Sequence, residues 1–294
     1  MDLSEFLHIL WHGLLHTGRE CLQIFPLLYI SYLLMELLEH KAGERTYALI
    51  RQSGKVGPLL GGALGILPQC GFSAAAAGLY AGRIVSLGTL IAVFLSTSDE
   101  MIPVLVAGKM PVPAVLILVL LKAAVAVLCG FVCDLFIRRE PSHAEVEELC
   151  EQEGCHCEGK SLFVAALLHA ARVLFFIFAV SFALHVGLEL IGEERLASLP
   201  LRIPFLSHLL AAVIGLVPNC AASVVLCELY LGGAISLGGM LSGLLVGSGV
   251  GILVLFRANR HLKENLLILA SLVGVGVLFG LLFDLSGLAA ILPL

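Results

Sequence analysis

The sequence predicts an all-α polytopic membrane protein made of two tandem homologous repeats, which we expect to be inverted relative to each other. Three observations predict this fold: a very apolar composition, a long internal self-similarity, and a proline inside one apolar run of each half. Of the 294 residues, 59% are hydrophobic and 13% are charged, and the mean hydropathy is +1.03. Soluble domains contain roughly 45–50% apolar and about 25% charged residues. The chain is therefore expected in a membrane.

The same composition excludes several other classes of protein. A net charge of -5 offers little to a nucleic-acid backbone, and so apolar a chain is not intrinsically disordered. The apolar runs recur to the C-terminus, which a signal peptide would not do. They also lack the strict alternation of a transmembrane β-barrel, so we expect helices.

A shift of 150 residues aligns the two halves of the chain. Over positions 65–105 it gives 15 identities in 41 positions, including Pro68 with Pro218 and Cys70 with Cys220. Such self-similarity over one period indicates duplication of an ancestral unit. We predict a first transmembrane repeat at 1–137, an acidic Cys/His-containing linker loop at 138–161 and a second repeat at 162–294.

Each repeat is predicted to contain four apolar elements, which occur in the same order in both halves. They are a long helix (about 16–38 and 169–190), a Gly/Pro-broken segment (about 57–82 and 206–232), a second long segment (about 84–107 and 234–256) and a final helix (about 112–137 and 265–285).

The broken segment decides the topology. A helix cannot continue through Pro68 or Pro218, because proline lacks the amide donor and its ring collides with the preceding turn. A re-entrant hairpin at each break gives three full crossings per repeat and an inverted second repeat, whereas a through-going broken helix gives four crossings and parallel repeats. The positive-inside rule does not separate these alternatives. We favour inversion, because discontinuous helices in matching positions are typical of alternating-access transporters.

Both breaks carry the pattern Pro-x-Cys-x-x-Ser with an amide residue at x. Non-helical backbone at membrane depth lines a cavity or is buried in protein, so each break is a candidate binding site. The alternative is that these small residues only let helices pack closely. The candidate substrate-binding residues are Gln69, Cys70, Ser73, Asn219, Cys220 and Ser223, together with Ser98 and Ser248 of the following segments.

Adjacent carboxylates in the middle of an apolar segment form a second candidate site. Asp99 and Glu100 are costly there unless paired, hydrated or bound to a cation, and the second half lacks them. We predict an ion-coupling site at Asp99 and Glu100, to which Glu228 can add a carboxylate; a salt bridge or interfacial position is the alternative. We interpret Asp134 and Asp284 as hydrated helix ends.

The central loop contains three thiols and one imidazole, at Cys150, Cys155, His156 and Cys157. Soft and borderline metals prefer these ligands, although the spacing is not that of a zinc finger. The alternative is a solvated linker between the repeats.

The chain resembles the multi-helix heavy-metal exporters known as arsenic efflux proteins or manganese transporters, and is distantly similar to arsenic permeases. The resemblance covers nearly the whole chain. It depends on the run Ser96 to Glu100 and on the two break motifs, Gly65-Ile66-Leu67-Pro68-Gln69-Cys70-Gly71-Phe72-Ser73 and Gly215-Leu216-Val217-Pro218-Asn219-Cys220-Ala221-Ala222-Ser223.

The resemblance implies a secondary transporter in the plasma or inner membrane that exports a heavy metal or metalloid. Two ligand chemistries stay open. Trivalent arsenic prefers thiolates such as those of Cys70 and Cys220, whereas manganese prefers the oxygens of carboxylates such as Asp99 and Glu100.

The expected partners are the lipid bilayer and the transported ion; no nucleic acid is expected, and a homo-oligomer is left open. No Gly-x4-Gly-Lys-Ser/Thr motif occurs, and we expect no cofactor. The alternative of a different class is an intramembrane enzyme with Cys70 or Cys220 as nucleophile. It is disfavoured because the membrane histidines lie near predicted helix ends, so no base is expected beside either thiol.

Overall fold

The computed structural model describes part of residues 8–33 and residues 56–66, 70–97, 101–137, 162–191, 204–218 and 220–286. Every regular element in these ranges is helical. Among the described residues, the N-terminal stretch of 8–33 is followed by eleven helices. They are α1 Gly57–Gly65, α2 Cys70–Ala81, α3 Leu87–Ser96, α4 Met101–Ala107, α5 Val112–Phe136, α6 Leu162–Ile191, α7 Pro204–Gly215, α8 Cys220–Leu231, α9 Leu237–Val246, α10 Gly251–Ala258 and α11 Leu262–Leu285.

Four segments of the described ranges are long and apolar enough to cross a membrane: Leu87–Ala107, Val112–Phe136, Leu237–Ala258 and Leu262–Leu285. Their lengths of 21 to 25 residues match the roughly 20 residues that one crossing requires. The chain is an all-helical, multi-pass membrane protein.

Two of these segments are interrupted in the middle. Helices α3 and α9 each begin at a serine cap, Ser86 or Ser236, whose side chain accepts a hydrogen bond from the backbone of the first turn. They end at Thr97 and Gly247, where ψ rises to 124° and 93° and the helical hydrogen-bond pattern stops. The chain becomes helical again in α4 and α10.

In the first half, α1 and α3 run side by side in the same direction. Gly57 lies against Thr89 near the start of α3, and Gly65 lies against Ser96 at its end. The turn from α2 to α3 is short, so α2 ends where α3 begins, near Ser86. Helices α1 and α2 therefore double back on each other, and the outer ends of both lie beside the start of α3.

The second half contains the same arrangement. Ser207 of α7 lies near Gly239 at the start of α9, and Gly215 at the end of α7 lies against Gly243. Helix α8 likewise ends just before α9 begins. The helix pairs α2/α8 and α3/α9 start at positions that differ by 150, the shift that aligns the two halves of the sequence.

The two halves contact each other through the short helices α2, α4, α8 and α10. Helix α2 packs against α10 of the other half, and α8 packs against α4. Gly251 at the start of α10 lies against Ser73 near the start of α2, so these two helices run in the same direction. Gly108 meets Leu231 at the far ends of α4 and α8.

A buried ion pair joins the halves at the outer ends of α2 and α10. Arg83 Nη1 and Nη2 donate to the carboxylate of Glu264 at 2.9 and 3.2 Å, and the Tyr80 hydroxyl donates to the same carboxylate. Glu264 and Asp284 are 20 positions apart on α11, which corresponds to about 30 Å at ~1.5 Å per residue. The bundle thus has an Arg83 end and an Asp284 end, with α3 starting at the first and α9 at the second.

Asp134 and Asp284 bind the starts of α3 and α9, which corrects our interpretation of them as hydrated helix ends. Asp134 Oδ1 accepts from Gly88 N at 2.7 Å, and Asp284 Oδ1 accepts from Gly238 N at 2.8 Å. A carboxylate at a helix N-terminus satisfies free amides and interacts favourably with the helix dipole. Both aspartates therefore fix α3 and α9 against the antiparallel helices α5 and α11.

We expect Asp134→Ala to destabilise the fold more than Asp134→Asn. The alanine variant loses the bonds to Gly88 N and Ser86 Oγ, each worth about 1.5–3 kcal/mol when one partner is charged. The asparagine variant keeps one neutral acceptor. Thermal unfolding in detergent measures both; equal midpoints for the two variants would contradict this role.

Candidate functional site

A cavity lies where the interrupted segments of the two halves meet. Its volume of about 20 Å³ has room for about one water molecule. The walls come from the ends of α3, α7 and α9, the starts of α4 and α8, and the middle of α5. The lining residues are Thr97, Met101, Lys122, Gly215, Val217, Ala222, Ser223, Leu226, Gly243, Leu244, Gly247 and Gly249.

Among the described residues that line this cavity, Lys122 carries the charged side chain. It lies in the middle of the apolar helix α5, and only 1% of it is exposed. Its Nζ donates hydrogen bonds to the carbonyl oxygens of Thr97 at 2.6 Å and Leu244 at 2.8 Å. The amine therefore connects the end of α3 in the first half to the end of α9 in the second.

The buried Lys122 amine is stabilised electrostatically by the ends of two helices. The last four carbonyls of a helix lack intrahelical partners, and that end carries a partial negative charge. Thr97 follows the last residue of α3, and Leu244 lies in the last turn of α9. An ammonium group between them satisfies free carbonyls and interacts favourably with two helix dipoles, which offsets the cost of burying its charge.

Sequence reasoning missed Lys122. The available signal was a lysine in the centre of an apolar segment of 25 residues, because an ionisable residue at that depth marks a functional site by default. The internal repeat did not draw attention to it, because Leu272 occupies the position 150 residues after Lys122.

Three of the serines predicted to bind substrate, Ser73, Ser223 and Ser248, are described, and all three lie near the interrupted segments. Ser223 lines the cavity, and Ser73 is buried against Gly251 at the start of α10. Ser248 lies between the cavity residues Gly247 and Gly249; it is 0% exposed, and its hydroxyl has no hydrogen-bond partner in the described part of the chain. A buried hydroxyl without a partner is costly, which is compatible with a binding role.

Glu228, predicted for the ion-coupling site, lies away from this cavity. Its side chain is exposed on α8, and it is not among the residues that line the cavity. The preceding residue, Cys227, is fully buried and close enough to Lys122 to interact with it electrostatically. One residue along a helix turns the side chain by about 100°, so Cys227 and Glu228 face different surroundings.

Several predicted site residues lie outside the described residues. Pro218 is described in the turn between α7 and α8, and Cys70 and Cys220 are the first residues of α2 and α8, with side chains that are not described. Among the described side chains, no three His, Cys, Asp or Glu residues are grouped to hold a metal. The predicted residues outside the described ones are Pro68, Gln69, Ser98, Asp99, Glu100, Asn219, Cys150, Cys155, His156 and Cys157.

A larger cavity of about 310 Å³ lies between α5, α9 and α11. Besides Lys122 and Ser286, its lining is entirely apolar. Hard cations bind through oxygen ligands and soft ones through sulfur, and this wall offers almost none. The smaller cavity is the better candidate for an ion.

Residues 25–190 match a family described as "Putative, 10TM heavy-metal exporter". The match covers more than half of the 294 residues. The chain belongs to this family. The resemblance to heavy-metal exporters is therefore confirmed, and the protein is a membrane transporter of the heavy-metal exporter class. No curated protein and no solved structure matches the chain.

The family's description counts ten transmembrane segments, and the described part of this chain has ten apolar helical segments, four of which are too short for a full crossing. Each half has five apolar segments in its described part when the pairs α3/α4 and α9/α10 are each taken as one. Two of the five in each half are short helices of 9 to 12 residues, about half of what a full crossing requires.

We expect Ser248→Ala to leave the thermal unfolding midpoint of the cargo-free protein unchanged or slightly raised. The substitution removes a buried hydroxyl that has no partner in the described residues, so no hydrogen bond is lost. The control is Ser96→Ala, which removes a hydroxyl that donates to Ala92 O at 2.7 Å and should lower the midpoint. A larger loss for Ser248→Ala would show that its hydroxyl is bonded in the cargo-free protein.

Proposed function

We propose that the chain is a secondary transporter that exports a heavy metal or metalloid by alternating access through the cavity around Lys122. One observation carries this proposal: interrupted segments from both halves line the same buried cavity. Backbone freed from helical hydrogen bonding at membrane depth supplies oxygen ligands, and alternating-access transporters bind their cargo at such breaks.

We further propose that the halves, 1–137 and 162–294, are inverted repeats joined by the linker 138–161, and that α1–α2 and α7–α8 are re-entrant hairpins. The support lies in the directions of the helices. Helix α3 starts at the Arg83 end and α9 starts at the Asp284 end, and each doubled-back pair returns to the end from which it entered. Each half then contributes three full crossings.

We propose that the protein lies in the plasma or inner membrane and that its Arg83 end faces the cytoplasm. In the described part of the chain, this end holds Arg83, Arg257, Arg260 and Lys263, whereas Lys109 lies towards the Asp284 end. Cytoplasmic loops of membrane proteins are enriched in lysine and arginine. The linker that follows α5 would then be cytoplasmic, where its thiols stay reduced.

The cargo-binding groups are proposed to combine the carbonyl ends of α3 and α9 with side chains of the breaks. Asp99 and Glu100 fall in the sequence between Thr97 and Met101, which both line the cavity. Cys70 and Cys220 are the first residues of the hairpins' second helices, and Cys227 adds a buried thiol near Lys122. Carboxylates favour a hard divalent cation and thiols a soft one.

Efflux from loaded vesicles tests the proposal. Vesicles containing the purified chain would be loaded separately with Mn²⁺, Cd²⁺ or arsenite, and release would be followed with and without a pH gradient. Release above that of protein-free vesicles for at least one of these is expected. No release of any of them, in either membrane orientation, would contradict the proposed function.

We expect Gly247→Ala to reduce efflux severalfold without unfolding the protein. A Cβ at this position would lie 3.5 Å from Gly243 O, an ordinary contact, so the methyl group fits. It would nevertheless occupy part of a cavity of about 20 Å³. The control is Gly274→Ala on α11, where a Cβ meets no atom within 4 Å. Equal efflux from the two variants would exclude this cavity from the transport path.

We expect Asp99→Asn to weaken efflux more than Glu36→Gln or Glu189→Gln. Asp99 interrupts the middle of an apolar segment, whereas the two glutamates lie near predicted helix ends, from which long side chains can reach the interface. Initial efflux rates at equal protein content measure the difference. Equal losses in all three variants would contradict the assignment of Asp99 to the cargo site.

A further inference from the structure

We propose that the Lys122 ammonium takes the place of the cargo in the empty transporter, so that the unloaded protein can change conformation without carrying a counter-ion. This inference rests on the proposed function, and it commits the cargo to a metal cation rather than a neutral or anionic species.

The first support is the geometry around the amine. Lys122 Nζ lies 2.6 and 2.8 Å from two carbonyl oxygens, those of Thr97 and Leu244, distances typical of charge-assisted hydrogen bonds. These oxygens belong to different halves and to two interrupted helices that end at the same cavity. Carbonyl oxygens that converge from two helix C-termini form a site for a cation, and the lysine occupies it.

The second support is the electrostatic cost of an empty site. An exporter must return to the inward-open state after it releases its cargo, and during this step the site is closed to water. Two partially negative helix ends buried without a positive partner would be strongly unfavourable. Many transporters meet this cost by carrying a second ion back; a tethered ammonium meets it without one.

The third support is that the halves differ at this position. The residue 150 positions after Lys122 is Leu272, which is buried in the apolar core. A single lysine suffices, because the carbonyl ends of both halves converge on it. Its three donors and four-carbon stem allow it to leave one carbonyl when a metal ion enters and to return when the ion leaves.

The proposal predicts that one substitution affects net efflux and exchange differently, whereas a defect in cargo binding would reduce both. Net efflux into cargo-free medium requires the empty transporter to return, whereas exchange of labelled for unlabelled cargo, with cargo on both sides, uses only the loaded transporter. In Lys122→Met we expect net efflux to fall by about tenfold or more, because the empty site has lost its positive charge. Exchange should stay within about twofold of the unmodified protein, because the metal supplies the charge in both directions.

Lys122→Arg and Lys263→Met are the matched variants. Arginine keeps a positive charge at position 122, so the ratio of net efflux to exchange should stay near that of the unmodified protein even if both rates fall. Lys263 is exposed at the start of α11, and its replacement by methionine should change neither mode. Equal losses of net efflux and exchange in a folded Lys122→Met would overturn the proposal, as would unchanged net efflux.

The unmodified protein provides a test that does not depend on the folding of any variant. Vesicles loaded with radioactive Mn²⁺ or Cd²⁺ and a trapped pH-sensitive dye would be placed in a weakly buffered medium free of sodium and potassium, with a permeant anion present to prevent a membrane potential. Net efflux should continue without acidification of the vesicle lumen, and acidification in proportion to efflux would overturn the proposal. Efflux that stops until one cation is restored would overturn the proposal and identify the counter-ion, whereas absence of both net efflux and exchange would instead contradict the proposed function.

Discussion

A helix that stops inside a membrane leaves its last carbonyl groups without partners, and the centre of this structure is organised around that constraint. Helices α3 and α9 both stop at half the depth of the bundle, at Thr97 and Gly247. A free carbonyl in an apolar environment costs several kcal/mol. The structure brings the two ends together and places Lys122 Nζ between them. One charged side chain thus stabilises an interruption in each half and fixes the halves relative to each other.

The other polar contacts hold the helices that position these two ends. Asp134 and Asp284 fix the starts of α3 and α9 on the long helices α5 and α11, so both interrupted helices are held at their outer ends as well as at the centre. Arg83 and Glu264 join α2 to the start of α11 across the halves.

Sequence reasoning predicted the features that depend on composition and local chemistry. The apolar content predicted the membrane helices, and the positions of Pro68 and Pro218 lie between the observed bounds of α1 and α2 and of α7 and α8. It did not predict that Asp134 and Asp284 bind helix starts, because this requires knowing which helix ends meet. The exposure of the Glu228 side chain could not be predicted either, because α8 is apolar around most of its surface and its sequence does not indicate which side is buried. Lys122 was overlooked although its signal, a charged residue in the middle of an apolar helix, is the same as the one that identified Asp99 and Glu100.

In the cargo-free protein, the carbonyl ends of the two interrupted helices converge on the Lys122 amine. An experimental structure of the chain in a lipid nanodisc, at a resolution that shows side chains, tests it most directly. We expect Lys122 Nζ to lie within hydrogen-bonding distance of the carbonyl oxygens of both Thr97 and Leu244 in the cargo-free protein. A structure in which the ends of α3 and α9 lie apart, or in which Lys122 points towards lipid, would contradict it.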